Sequence, residues 1–299
     1  MSRRAYAVYD VFTAKPLEGN PLAVVFDAGG LDTAAMQAIA GEFNLSETIF
    51  VLPPDEAAHR ARIRIFTPRH ELPFAGHPTV GGAVALAERD GREGAFVLEE
   101  TVGPVPCVVS RLDGAAFATF TLPRLSQRLP FIEDNGKVAA ALGLDASDIG
   151  FAGHAVELWS AGVPYVLVPV ADLAAAGRSR LDERQWTAMT GAVEALSPAA
   201  FVYCRGGTLP GSAFHARMFA SHLGIPEDPA TGSAVAALSG ALAAHERPAD
   251  GTTRWSIEQG VEMGRASVIR LEVDMVAGNI KAGRIGGHAV KVAEGVFIA

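Results

Sequence analysis

RIFTPRHELPFAGHPTVGGAVAL, Arg64 to Leu86, reads as a strand, a proline-bearing loop and a helix of small residues. A second stretch, RMFASHLGIPEDPATGSAVAAL from Arg217 to Leu238, runs in the same order. Both begin Arg-apolar-Phe, pass through prolines and a Thr, and end in an Ala/Val run closed by Leu. With one gap, Gly76 falls opposite Asp228 and Thr79 opposite Thr231. Self-similarity of this kind predicts a duplicated domain, each copy carrying a loop that opens into a helix.

The flanking segments fit that plan. YAVYDVF and NPLAVVF are β-branched and aromatic runs joined by the turn-rich TAKPLEG, and read as neighbouring strands. LDTAAMQAIAGEF is an amphipathic helix that Asp32 can cap and Leu31 with Met36 can staple. ETIFVL and ARIRIF read as strands, and PTVGGAVALAERDG as a helix with Pro78 near its start and Gly91 past its end. Pro123 to Pro130, PRLSQRLP, has no period and reads as a linker. Beyond it NGKVAAALGL and DERQWTAMTGAVEAL read as helices, YVLVPV and AAFVYCR as strands. The tail VIRLEV, MVAGNIKAG, HAVKVAEGVFIA alternates like antiparallel strands.

Composition narrows the function. The 299 residues are 49% hydrophobic and 19% charged, enough for a sizeable core in one large or two ordinary domains. A net charge of −8 with no basic cluster argues against nucleic acid as a partner. The N-terminal MSRRAYAVYDVF lacks the apolar core of a signal peptide, and no run reaches the roughly 18 apolar residues of a membrane helix. A cytoplasmic protein with free thiols at Cys107 and Cys204 is expected.

Two like domains facing each other leave a cleft suited to a small molecule. Two helix N-termini directed into it would hold a carboxylate through unpaired N–H groups and the positive dipole end. Neither loop carries a phosphate-binding pattern. Glu47, in FNLSETIF, is either an exposed carboxylate at a strand start or one walled by Phe43, Ile49 and Phe50. In the second case desolvation suits it to acid/base work. His77 is either a packing residue or, beside Gly76, a ligand contact. Asp228 either caps the helix beginning near Thr231 or faces a ligand, and Ser233 is open in the same way. Glu227 has no evident role. HELPF is not HExxH, Asn44-Leu45-Ser46 means little without a secretory signal, and His154 with Glu157 is too small a set for a metal. No metal is expected.

GNPLAVV, NLSET, FTPRHELPFAGHPTVG, GIPEDPATGSA and QGVEMGRAS, which together span Gly19 to Ser267, resemble the PhzF-like (phenazine biosynthesis) family. That family has the diaminopimelate epimerase-like fold. The resemblance implies an α+β protein of two pseudo-symmetric domains, each a mixed β-sheet curled around a central helix. The domains would be 1–122, completed by strands at about 284–299, and 130–283, with the active site between them and a homodimer as the assembly. The best understood family activity is the cofactor-free isomerisation of trans-2,3-dihydro-3-hydroxyanthranilate. There a glutamate moves a proton from C3 toward the other end of the conjugated system.

Carried onto this chain, the resemblance makes Glu47 the acid/base, with His77 and Asp228 as its catalytic partners. Gly76, Ser233, Thr231 and Gly232 would surround the substrate. Epimerases that use two thiols carry a cysteine at the slots of Gly76 and Asp228, and neither Cys107 nor Cys204 falls there. The expectation is a cofactor-independent isomerase acting on a small carboxylate-bearing substrate. The alternatives are a one-base epimerase or racemase, and a non-catalytic small-molecule-binding member.

Overall fold

A computed structural model describes residues 3–131, 134–191, 198–221 and 225–298. They fall into two compact units, Met1–Pro123 with Ile285–Ala299, and Arg124–Arg284.

The first unit contains β1 (Arg3–Val11), β2 (Asn20–Val25), α1 (Thr33–Phe43), β3 (Glu47–Leu52), β4 (Ala61–Phe66) and β5 (Glu71–Leu72). It continues through α2 (Gly76–Asp90), β6 (Gly94–Glu100), β7 (Gly103–Leu112) and β8 (Ala115–Thr121). The last strand of the chain, β17 (Asn279–Ile298), returns to it from Ile285 onward. β1 runs antiparallel to β2 and β17, with Val11 opposite Ala289. β2 and β3 are parallel, β3 and β4 antiparallel, β4 and β6 parallel, and β6, β7 and β8 form a meander. β8 pairs with β17, so the sheet closes on itself.

α2 sits inside that closed sheet. Every residue from Gly76 to Ala87 is buried, because a helix with apolar and small residues all round has no face to give to water. Its small residues let it come close to the strands. A side chain at Gly81 would meet Leu22 Cδ2 at 2.6 Å and Val11 Cγ2 at 2.7 Å, and one at Gly82 would meet Ile49 Cδ1 at 2.7 Å. α1 covers the outer face with Met36, Ile39 and Ala40 against Val25, Phe50 and Phe66. Asp32 caps α1 through the Ala35 N–H at 2.8 Å, as its sequence predicts.

The second unit contains β9 (Gln127–Leu129), α3 (Asn135–Ala141), β10 (Glu157–Ser160), β11 (Pro164–Pro169), α4 (Leu173–Arg178) and α5 (Glu183–Thr190). Then follow β12 (Ala199–Arg205), β13 (Phe214–Ala220), β14 (Ile225–Asp228), α6 (Gly232–Glu246), β15 (Gly251–Gln259) and β16 (Ser267–Val276). β9 to β13 pair in succession except that β9 and β10 follow after a loop, with β11 and β12 parallel. β13 then pairs in parallel with β15, and β15 with β16. α6 is the buried helix of this unit and packs on β9, β10, β11 and β16.

Two sequence expectations change here. Pro123 to Pro130 is not a plain linker, because Gln127–Leu129 hydrogen-bonds as a strand to β10. Ile225–Asp228, expected as an open loop, is a short strand on β13 with Met218 opposite Asp228. Pro226 within it and Pro229 just after it hid the strand, and Pro226 is tolerated because this strand is short and irregular. Part of the expected helix after Asp182 is seen as α5, and residues 192–196 of that stretch lie outside the described residues.

The duplication extends to side chains. Arg64 lies over Phe66 at 5.1 Å and makes a two-pronged pair with Glu71; Arg217 lies over Phe219 at 4.9 Å and pairs in the same way with Glu227. The repeated Arg-apolar-Phe is therefore one device, a guanidinium held on an aromatic ring two residues along the strand. It also gives Glu227 its role. In the paired strands Arg62 stands opposite Glu99, and His215 opposite Glu258. Glu99 accepts the N–H groups of Asp55 and Glu56 and contacts His59; Glu258 accepts those of Thr208 and Leu209 and contacts His215.

Candidate active site

In the first unit, the start of β3 and the first turn of α2 bring Glu47 and His77 together. Glu47 Oε2 lies 3.3 Å from His77 Nδ1, with the two side chains 14% and 5% exposed respectively. Glu47 is therefore largely buried at a strand start. Asn20 Nδ2 lies 3.5 Å from the same ring nitrogen. Burial pushes the His77 pKa down to about 3, against a smaller upward pull from the Pro21 backbone. The imidazole is thus neutral at ordinary pH, and its contact with Glu47 is not an ion pair.

His77 Nε2 is buried and has no hydrogen-bond partner among the described residues. Leaving such an atom unpaired costs on the order of 1–3 kcal/mol, so native proteins keep few of them. Gly76 is the first residue of α2, and Ala75 at the N-cap makes no side-chain cap. The turn carries no acidic residue, so its N–H groups and dipole are left for another anion.

The second unit holds the other sequence candidates. Asp228 ends β14 and is 5% exposed. Its Oδ2 accepts the Thr231 hydroxyl at 2.5 Å, and its carbonyl accepts Gln259 Nε2 at 2.7 Å. Gln259 also accepts the Thr231 N–H at 3.1 Å and donates to Thr231 Oγ1 at 3.0 Å. One buried amide thus ties Asp228 to Thr231 at the helix mouth. Thr231 is the N-cap and Gly232 the first residue of α6, again with no side-chain cap and no acid in the first turn. Ser233 Oγ lies 2.7 Å from the Tyr165 hydroxyl.

Four contributors escaped sequence reasoning. Asn20 and Gln259 lie within GNPLAVV and QGVEMGRAS, so a search of those motifs for polar residues could have found them. Tyr165 sits in an apolar strand with no local signal. Glu100 hydrogen-bonds to Thr79 from a strand end, and only the sheet register reveals it. Both cysteines are free and buried, and burial raises the thiol pKa of each, that of Cys204 to about 12. Neither is poised as a thiolate base.

A closed mixed sheet around a buried helix, with a carboxylate paired to one nitrogen of an imidazole at that helix mouth, defines a class before it defines a protein. Residues 9–295 match the family model for phenazine biosynthesis-like proteins, and the chain belongs to that family. It is 57% identical to an uncharacterized isomerase of Mesorhizobium japonicum over 99% of both chains. It is 37% identical to the trans-2,3-dihydro-3-hydroxyanthranilate isomerase of Pseudomonas aeruginosa, over 97% of this chain and 98% of that one. The crystal structure of a PhzF-family phenazine biosynthesis protein from Bacillus anthracis superposes with a TM-score of 0.91 at 27% identity, covering all of both chains. The protein is an isomerase with an α+β fold of the diaminopimelate epimerase-like type.

Proposed function

We propose that the protein isomerises a small carboxylate-bearing substrate resembling trans-2,3-dihydro-3-hydroxyanthranilate, with Glu47 removing a proton from carbon and returning it elsewhere. The carrying observation is the Glu47–His77 pair, with its bare Nε2. While Glu47 is a carboxylate, Nδ1 keeps the imidazole proton and Nε2 is an acceptor for a substrate ammonium or hydroxyl. Once Glu47 holds the proton taken from carbon, the imidazole keeps its own proton on Nδ1 and Nε2 stays an acceptor, so the histidine holds the substrate while the glutamate carries the proton. A longer contact in a ligand-free site is the ordinary starting geometry for such a pair.

Asp228, Ser233 and the backbone at Gly76, Thr231 and Gly232 act in this reading as binding groups for the substrate's amine and carboxylate. The protein works as a cytoplasmic homodimer without a cofactor. Support for these points is the family resemblance and the uncapped first turns of both helices.

Incubation with trans-2,3-dihydro-3-hydroxyanthranilate in D2O tests the reading. A displaced double bond with deuterium at the new position is expected. Glu47→Gln should lower the rate by on the order of 10²–10⁴. Label returned to the original carbon with inverted configuration would replace the reading with one-base epimerisation. Tight binding with no exchange would make the protein a binding member, and unchanged turnover in Glu47→Gln would overturn the assignment of the base.

A further inference from the structure

The mouth of α2 is held from behind by a group that the reaction itself does not use. Glu100, the last residue of β6, is buried, and its Oε1 lies 2.7 Å from Thr79 Oγ1. The same hydroxyl lies 2.7 Å from the Ala75 carbonyl, the N-cap of the helix that carries Gly76 and His77. Three oxygens stand in a row with two short contacts, and each contact needs a proton. The carbonyl has none, and the threonine hydroxyl has one. A proton on Glu100 supplies the second; without it the single hydroxyl proton is shared between two acceptors.

The other unit gives independent support. The parallel pairing Arg62 opposite Glu99 corresponds to His215 opposite Glu258, so Glu100 corresponds to Gln259. Thr79 corresponds to Thr231. Gln259 donates from its amide to Thr231 Oγ1 at 3.0 Å. A carboxylate cannot donate, whereas a carboxylic acid in the Gln259 slot can. We propose that Glu100 is a positioning residue that keeps a proton on its own carboxyl and, through Thr79, fixes the first turn of α2 that carries Gly76 and His77.

The surroundings agree with a neutral acid. Glu100 Oε2 is buried without a hydrogen-bond partner among the described residues, a poor setting for a carboxylate. Burial pushes the Glu100 pKa up to about 8, and a Thr79 hydroxyl turned to donate to the carboxylate would pull the other way. Among the described residues, the ionisable group acting on it from a neighbouring strand is Cys107 of β7, whose thiol burial keeps protonated over the same pH range. On the far side of the turn, Glu47 is the titratable group facing His77. Above pH 8 Glu100 ionises, the donor is lost, and the Thr79 proton turns from Ala75 toward the carboxylate.

The function of this turn rests on the isomerase reading, but the test does not need a substrate. Protein carrying carboxyl-¹³C glutamate and ¹⁵N histidine is titrated from pH 6 to 10 by NMR, with Glu100 and His77 assigned through Glu100→Gln and His77→Asn. The Glu100 carboxyl should be neutral at pH 6 and titrate near pH 8, with the His77 ring signals moving at the same midpoint. Glu100→Gln should abolish that His77 movement while any titration of Glu47 persists. Thr79→Val should leave Glu100 titrating and uncouple His77 from it. A carboxylate at Glu100 at pH 6, or His77 signals that stay flat while Glu100 titrates, overturns the proposal. The wild-type titration decides if the variants fail to fold. Failure to turn over trans-2,3-dihydro-3-hydroxyanthranilate leaves these outcomes intact, so the two readings fail separately.

Discussion

At the scale of single residues, the molecule separates two kinds of buried charge. His77 is neutral with an unpaired nitrogen, an arrangement that adds nothing to stability and leaves one atom for a ligand. Arg217 is the opposite case. Its guanidinium is 3% exposed and is used up by both oxygens of Glu227 and by the carbonyls of Ala176, Gly177 and Ser179. Glu227→Gln takes away the carboxylate charge bonded to that buried cation and replaces one of its five acceptors with an amide donor. A loss of roughly 2–4 kcal/mol is expected, read as a lower urea midpoint at unchanged slope. Thus the two adjacent acids in the motif have different partners, Glu227 the buried Arg217 and Asp228 the Thr231 hydroxyl at the mouth of α6.

At the scale of elements, the decisive feature is a helix enclosed by strands. α2 can occupy the closed sheet only because Gly81 and Gly82 face β1, β2 and β3. Gly81→Val would drive a branched side chain into Leu22 and Val11 in a close-packed interior, at a cost of about 1–3 kcal/mol. The prediction is a lower thermal midpoint for Gly81→Val, with Gly91→Asn, in the left-handed C-cap of α2, near wild type. An equal loss at both positions would mean that packing against the strands is not what sets the helix position. The repeat, the caps and most strands were legible because they depend on local pattern. β9 and β14 were not, since each is a few residues long and exists only through its partner strand.

At the scale of the whole molecule, ionisation sets a pH window for stability. Burial alone would lower the His215 pKa, but the Glu258 and Glu262 carboxylates at 2.7 and 2.9 Å outweigh it and raise the value to about 9. In the unfolded chain histidine titrates near 6.5. The folded state therefore holds an extra proton between these values. The stabilisation is complete below about pH 6.5 and is lost as pH rises through 9. Glu258, held down to about 2 by its hydrogen bonds against the opposing effect of burial, stays ionised throughout that window. The stability difference between wild type and His215→Asn should shrink steadily from pH 6.5 to 10 in urea titrations. A constant difference would show that the histidine acts by shape alone. Comparing the two proteins removes the separate loss, between about pH 4.5 and 8, that arises because Glu100 ionises in the unfolded chain while the fold keeps its carboxyl protonated. No described helix is long and apolar enough to cross a membrane.

The sequence by itself determined the duplication, the two buried helices, the family and the residues at both helix mouths, because these rest on periodicity, capping and short ordered motifs. His77 was readable as a candidate, but not as a neutral ring with one bare nitrogen. That state comes from burial, which depends on strands and a helix far apart in the chain. Tertiary structure alone paired Arg217 with Glu227, set Gln259 and Glu100 in matching slots, and brought Tyr165 to Ser233. Each of these is a contact fixed by sheet register, and register is set by which strands meet, not by what any one of them spells.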